Sequence, residues 1–158
     1  MIFSSVEFLI FLVVLILLYY QVGKQHQWFV LLLASMAFLG YLSANFLVYT
    51  GLIITINYFL GKLIEKTSEA KKKRRWYFLG MVVNIGQLVF FKYINFLIQN
   101  INLFFGIFEP SDQVPYMNII LPVGISYYTF ECIGYLIDLY RGTSKAEKHW
   151  GIFASYIL

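Results

Sequence analysis

Two carboxylates sit inside a long apolar stretch, Ile119–Gly142, which reads IILPVGISYYTFECIGYLIDLYRG. An unpaired carboxylate facing hydrocarbon is expensive, so Glu131 is expected to face protein or water rather than lipid. At 100° per residue, Tyr127, Glu131, Tyr135, Asp138 and Arg141 project within about 120° of one another on a helix, so one face carries all five. Asp138 and Arg141 are spaced to pair near the end of that helix. Upstream, Pro122 removes a backbone donor and Gly124 permits unusual dihedrals, so the helix is expected to break or begin there; non-helical backbone at that depth survives only against protein or a wet cavity. Arg141 and Gly142 supply a cation in the last turn and a glycine just beyond it. The run SKAE, Ser144–Glu147, reads as a capping box opening a next helix that begins at Trp150.

The segment from Trp76 to about Ile98 carries a second polar stripe. Asn84, Gln87, Lys92 and Asn95 lie within an arc of about 140° on a helix. The plainer reading of this stripe is glue between helices, at ~0.6 kcal/mol per interhelical hydrogen bond. Lys92 lies ~24 Å of helix rise from Trp76, so snorkelling to the far interface accounts for it equally well. The two histidines, His26 and His149, fall next to expected helix ends with no evident partner, which makes them poor bases or ligands. Cys132 is the only cysteine; it excludes an intramolecular disulfide and a paired-cysteine metal site, and reads as a packing residue. The nucleophile elbow, the HExxH zinc motif, the phosphate-binding loop and the dinucleotide fingerprint are absent, as is any fixed-period repeat. No residue is singled out as catalytic and no metal ligand set is expected.

The elements that must position these residues follow from composition. A chain that is 60% hydrophobic, 20% aromatic and 13% charged, with a mean hydropathy of +0.72, has more apolar surface than one small soluble core can hide. A bilayer-crossing helix needs ~20 mostly apolar residues. Phe8–Tyr20 reads as a retained span, since Glu7 precedes it where a signal peptide wants basic residues. Trp28–Leu42 and Asn45–Ile64 follow, separated by Ser43–Asn45, the former short enough to be partly interfacial. The charged run EKTSEAKKKRR, Glu65–Arg75, reads as a loop before the fourth span. The expected fold is therefore all-α: a multi-pass transmembrane helical bundle in one membrane-embedded domain over residues 1–158, with about five spans plus the start of a sixth. The apolar run WGIFASYIL reaches Leu158 without a closing polar residue, so the expectation is an incomplete bundle whose polar faces await partners further along a longer chain.

Basic residues are distributed one-sidedly. Lys24 follows the first span; Lys62, Lys66, Lys71, Lys72, Lys73, Arg74 and Arg75 follow the third; Arg141, Lys145 and Lys148 follow the fifth; only Lys92 lies elsewhere. The positive-inside rule makes that side cytoplasmic, the 62–75 loop included, and puts the N-terminus outside. The cluster and a pI of 9.1 also suggest nucleic acid, but no aromatic platform or recognition fold accompanies them; a juxtamembrane basic segment that sets topology and touches anionic headgroups is the simpler reading. The loop EPSDQVP, with Glu109 and Asp112, is then an outer one.

The start MIFSSVEFLIFL, the stretch VVNIGQLVFFKYINF and above all LPVGISYYTFECIGYLIDLYRG resemble the membrane-bound O-acyltransferase family, closest to its alginate O-acetylase branch, over almost the whole chain. The Gly-Ile-Ser-Tyr and Thr-Phe elements, Gly124–Tyr127 and Thr129–Phe130, are shared with the teichoic acid D-alanyltransferase branch. The resemblance implies a bacterial inner-membrane enzyme with a helical tunnel, passing an acyl group, such as acetyl, from a cytoplasmic donor to hydroxyls of an exported polysaccharide. The donor, acetyl-CoA or an acyl carrier, is then a substrate, with no bound cofactor; partners are membrane lipids, the polysaccharide acceptor and acetylation proteins on the outer side, and not nucleic acid. It also implies an essential histidine base well downstream of the Tyr-Arg-Gly element, beyond Leu158, matched by neither His26 nor His149, so this portion alone is expected to be inactive. Tyr127, Glu131, Tyr135, Asp138, Arg141 and Lys92 are then tunnel-lining or structural polar residues. A transporter or exporter component would also use broken helices and intramembrane charge; an inactive membrane scaffold that only binds a partner is the other alternative.

Overall fold

In a computed structural model, residues 6–105, 122 and 124–158 are described, and among them every regular element is a helix. The order is α1 (Val6–Gln21), α2 (Gln27–Leu42), α3 (Ala44–Lys66), α4 (Ala70–Phe105), α5 (Ile125–Arg141) and α6 (Trp150–Ile157). The outer loop around Glu109 and Asp112 lies outside the described residues. α3 and α4 are long and apolar enough to cross a membrane. α1 and α2, with 16 residues each, rise only ~24 Å, short of a ~30 Å hydrocarbon core.

α3 is the centre of the bundle, packing against α2, α4, α5 and α6. Its buried residues, Thr50, Ile53, Ile54, Asn57, Tyr58, Leu60, Gly61 and Ile64, recur at the three- and four-residue spacing of a helix face. The larger core cluster joins Ile54 and Tyr58 to Leu32 of α2, Tyr128 and Cys132 of α5 and Phe153 and Ala154 of α6; a smaller one joins Leu60 and Ile64 to Leu136, Leu139 and Ala146. α1 buries none of its residues. It leans on α2 through Phe8 and Phe11, whose ring centroids lie 5.8 and 6.3 Å from that of Phe38.

Three crossings are set by glycine. A Cβ on Gly61 of α3 would lie 2.6 Å from Tyr135 Cε1 and 2.9 Å from Leu139 Cδ1; one on Gly80 of α4 would lie 2.5 Å from Leu136 Cδ1; one on Gly151 of α6 would strike the Trp28 ring. Close approach through small residues is how helices associate where lipid removes most of the hydrophobic drive. α5 thereby seats itself between α3 and α4, and α6 against α2.

The polar stripe of α4 packs inward at its first two members. Asn84 and Asn57 exchange side-chain hydrogen bonds, Asn84 Nδ2 donating to Asn57 Oδ1 at 2.7 Å and Asn57 Nδ2 to Asn84 Oδ1 at 3.2 Å. Tyr49 Oη donates to Gln87 Oε1 (2.7 Å), Gln87 Nε2 to Thr129 Oγ1 (3.0 Å), and Thr129 Oγ1 to the Ile125 carbonyl (2.5 Å). Partners expected beyond the chain are thus found within it for Asn84 and Gln87, on α3 and α5. Lys92 is exposed on α4.

Three local expectations are corrected. The charged run is not a loop: α3 continues to Lys66 and α4 starts at Ala70, leaving only residues 67–69 between them. Lys, Arg and Ala are good helix formers, and Glu69 meets Lys72 at 2.8 Å across one turn. The Ser144–Glu147 capping box does not form, because α6 begins at Trp150 with His149 as its N-cap. Instead Glu147 Oε1 accepts the backbone N–H groups of Lys148 and His149 at 2.8 and 3.1 Å. Asp138 and Arg141 do not pair; both are exposed, and such a pair would gain little from forming.

Candidate functional site

The entry at Gly124 and the stop at Gly142 define α5, and both are glycine-dependent. Gly124 enters the helix at φ 75° and Gly142 leaves it at φ 78°, left-handed values that L side chains rarely adopt. At the far end the Gly142 N–H reaches the Leu139 carbonyl (3.2 Å) and the Thr143 N–H the Asp138 carbonyl (3.0 Å), the two bonds of a Schellman stop. Thr143 Oγ1 adds a bond to the Asp138 carboxylate at 3.3 Å, so the carboxylate is held by the cap rather than by Arg141.

Between these ends α5 divides lengthwise. Ile125, Tyr128, Thr129, Cys132, Leu136 and Leu139 are buried against the bundle. Tyr127, Asp138 and Arg141 are exposed on the other side and Glu131 is half-buried beside them. Tyr135 leaves the polar face: its ring lies 4.6 Å from that of Phe153, and its hydroxyl accepts the Glu147 N–H at 3.3 Å. The five-residue face is therefore four residues plus a border tyrosine that packs inward. Lys92 is on another helix and is not brought to this face.

α6 completes the arrangement. Tyr156 Oη donates to Glu131 Oε2 at 2.8 Å, and a groove of ≈ 390 Å³ runs between α5 and α6, with Tyr135, Asp138, Ser144, Lys145, Glu147 and Tyr156 among its lining residues. The groove carries two carboxylates, Asp138 and Glu147, and one ammonium, Lys145. Sequence reasoning missed Tyr156, whose position follows from the register of α6 on Gly151. It also missed Glu147 as a backbone acceptor. Among the described residues no three His, Cys, Asp or Glu side chains gather to hold a metal ion. Chemically the groove is a hydrogen-bonding surface: carboxylates that accept, a tyrosine hydroxyl that donates, and no activated nucleophile.

The helix ends that carry basic residues converge. Lys62 Nζ and Tyr58 Oη both reach the Lys148 carbonyl, at 3.5 and 2.6 Å. Lys73 lies 5.8 Å from the centre of the Tyr140 ring, and His149 meets Trp28 edge-on with ring centroids 4.8 Å apart. The start of α2 and the α3 face at Tyr58 and Lys62 thus meet the segment after α5 at one end of the bundle.

Comparison with known proteins gives relatives over the whole chain. It is 37% identical to the probable alginate O-acetylase AlgI of Pseudomonas aeruginosa and 35% identical to that of Azotobacter vinelandii, in each case over 99% of this chain and 30% and 32% of the relative. It is 34% identical to a peptidoglycan O-acetyltransferase of Helicobacter pylori over 70% of this chain and 20% of that protein. No family model matches, and no solved structure matches. By sequence the chain is therefore a relative of the AlgI-type O-acetylases, the branch of the membrane-bound O-acyltransferases that its motifs resemble, and it spans about a third of their length.

Proposed function

We propose that the chain forms part of a membrane-embedded O-acetyltransferase, and that the α5–α6 groove lines the polar path along which acceptor or donor groups meet. The observation that carries this reading is the Glu131–Tyr156 pair, set on the side of α5 that faces away from the packed bundle. A carboxylate bonded to one phenol and otherwise open is costly against lipid and natural against water or substrate. The names of the relatives, a probable alginate O-acetylase and a peptidoglycan O-acetyltransferase, support O-acetylation of a polysaccharide as the reaction, and in this proposal the acceptor hydroxyl belongs to an exported polysaccharide.

In this reading the bundle is a multi-pass assembly of about five spans and the start of a sixth. Its basic end faces the cytoplasm of a bacterial inner membrane, its N-terminus lies outside, and an acyl donor arrives from the basic side. The hydroxyl is deprotonated by a histidine base, a role that the family resemblance assigns to neither His26 nor His149. Glu131, Asp138, Tyr127 and Tyr156 keep the path hydrated and hydrogen-bond what passes along it. The polysaccharide and accessory acetylation proteins are the partners on the outer side.

The test is the acetate released by mild alkali from exported polysaccharide, in cells producing the full-length protein. Glu131→Leu is expected to lower it about tenfold, the effect of ~1.4 kcal/mol on a barrier, with Glu131→Gln and Tyr156→Phe milder because hydrogen-bonding capacity or shape remains. Membrane levels are followed in parallel. Full activity in Glu131→Leu refutes a path along this face.

A further inference from the structure

The run Lys71–Arg75 is sorted by its helix. Lys72 is paired with Glu69 at the surface and Lys73 lies over Tyr140, so each already has a partner. Lys71, Arg74 and Arg75 are exposed and have no carboxylate partner among the described residues. They line a shallow groove of ≈ 790 Å³ together with Phe78, Leu79 and Val82. At 100° per residue these six project within about 140° of one another, cations first and apolar side chains below. Phe78, Leu79 and Val82 are 66%, 46% and 54% exposed.

The length of α4 says where this strip sits. Its 36 residues rise about 54 Å, well beyond a ~30 Å hydrocarbon core. With the apolar part from Trp76 onward in that core, Lys71, Arg74 and Arg75 fall at headgroup level. The side chains below suit lipid: the three closest crossings in this bundle are made at Gly61, Gly80 and Gly151, whereas this face presents Phe, Leu and Val, bulky apolar side chains that fit acyl chains. The positive end of the α4 dipole adds to the charge.

We propose that this strip binds one anionic phospholipid, its phosphate held by Lys71, Arg74 and Arg75 and an acyl chain lying on Phe78, Leu79 and Val82. The site depends on α4 crossing the membrane and not on acetyl transfer, so it stands or falls apart from the enzymatic reading. A basic residue at an anionic surface contributes about fivefold in affinity, and three contribute about a hundredfold. Bidentate guanidinium geometry makes the two arginines the stronger holders of phosphate.

The experiment is native mass spectrometry of the purified full-length protein in mixed micelles of phosphatidylglycerol and phosphatidylcholine. Wild type is expected to retain one phosphatidylglycerol in preference to phosphatidylcholine. The variant Lys71→Gln/Arg74→Gln/Arg75→Gln is expected to lose that preference by about a hundredfold, and Arg75→Gln alone by about fivefold. The variant Lys66→Gln/Lys72→Gln/Lys73→Gln removes the same charge from the same region and is expected to keep it. Equal loss in both triple variants overturns the site in favour of diffuse charge, and no loss in either overturns it in favour of a strip covered by polypeptide. If the first triple variant does not fold, Arg75→Gln decides: retention equal to wild type overturns the proposal.

Discussion

The Asn57–Asn84 exchange permits a quantitative test of what holds α3 to α4. Both residues are fully buried, at 0% exposure. Each amide also donates its remaining hydrogen to its own helix, Asn57 to the Ile53 carbonyl at 2.9 Å and Asn84 to the Gly80 carbonyl at 2.8 Å. Replacing Asn84 by leucine removes both interhelical bonds and leaves the Asn57 oxygen without a donor. Two interhelical bonds at ~0.6 kcal/mol contribute about 1.2 kcal/mol, and the stranded oxygen adds a desolvation cost within the ~1–3 kcal/mol range for an unsatisfied buried group. Asn84→Leu and Asn57→Leu are therefore each expected to destabilise by about 2 kcal/mol. The double variant strands no oxygen and should cost only about the 1.2 kcal/mol of the two lost bonds, well short of the sum of the singles, with a coupling of about 3 kcal/mol. Equilibrium unfolding of the detergent-solubilised protein by increasing SDS, followed by tryptophan fluorescence, measures all four corners. Additivity within about 0.3 kcal/mol refutes the pairing.

Two further outcomes are expected. Gly61→Val pushes methyl groups onto Tyr135, itself fixed between Phe153 and the Glu147 N–H, so a loss of about 1–3 kcal/mol is expected in the same unfolding assay; Tyr135→Leu in that background should recover part of it, and a silent Gly61→Val refutes the close crossing. A cysteine placed at Lys72 should react with an impermeant maleimide only from the cytoplasmic side and one at Ser111 only from outside, the reverse pattern sinking the orientation read from the basic residues.

Much of the architecture is written locally. Apolar runs bounded by Gln27, Ser43 and Gly142 mark helix limits, and Gly124 announces the α5 start because a left-handed entry needs no Cβ there. What misled was reading charge as loop: Lys71–Arg75 favour helix once Ala70 and Glu69 are counted with them. Partner choice is the part that local pattern cannot reveal. The polar character of Asn84 and Gln87 is visible in the sequence, but their bonds to Asn57, Tyr49 and Thr129 depend on where α4 crosses α3 and α5, which Gly61 and Gly80 set by admitting Tyr135 and Leu136. A signal was present in Asn57, a lone amide amid IITINYFL, since such a group inside an apolar helix requires a partner on a neighbour. The candidate site was half visible in the same way: the α5 face follows from periodicity, whereas Tyr156 reaches Glu131 only because Gly151 lets α6 close on Trp28.

Ser43 is the whole connection between α2 and α3. Its N–H bonds back to the Leu39 carbonyl at 2.9 Å while its own carbonyl accepts from Phe46 and Leu47 at 3.1 and 3.3 Å; the residue itself is extended, at φ −169° and ψ 128°. Most connections between helices have several residues of slack; this one has a single residue, committed to both sides. A joint of that kind leaves α2 and α3 little freedom to turn independently. α1, which leans on α2 through its phenylalanines, is thereby tied at one remove to the central helix on which α5 and α6 rest.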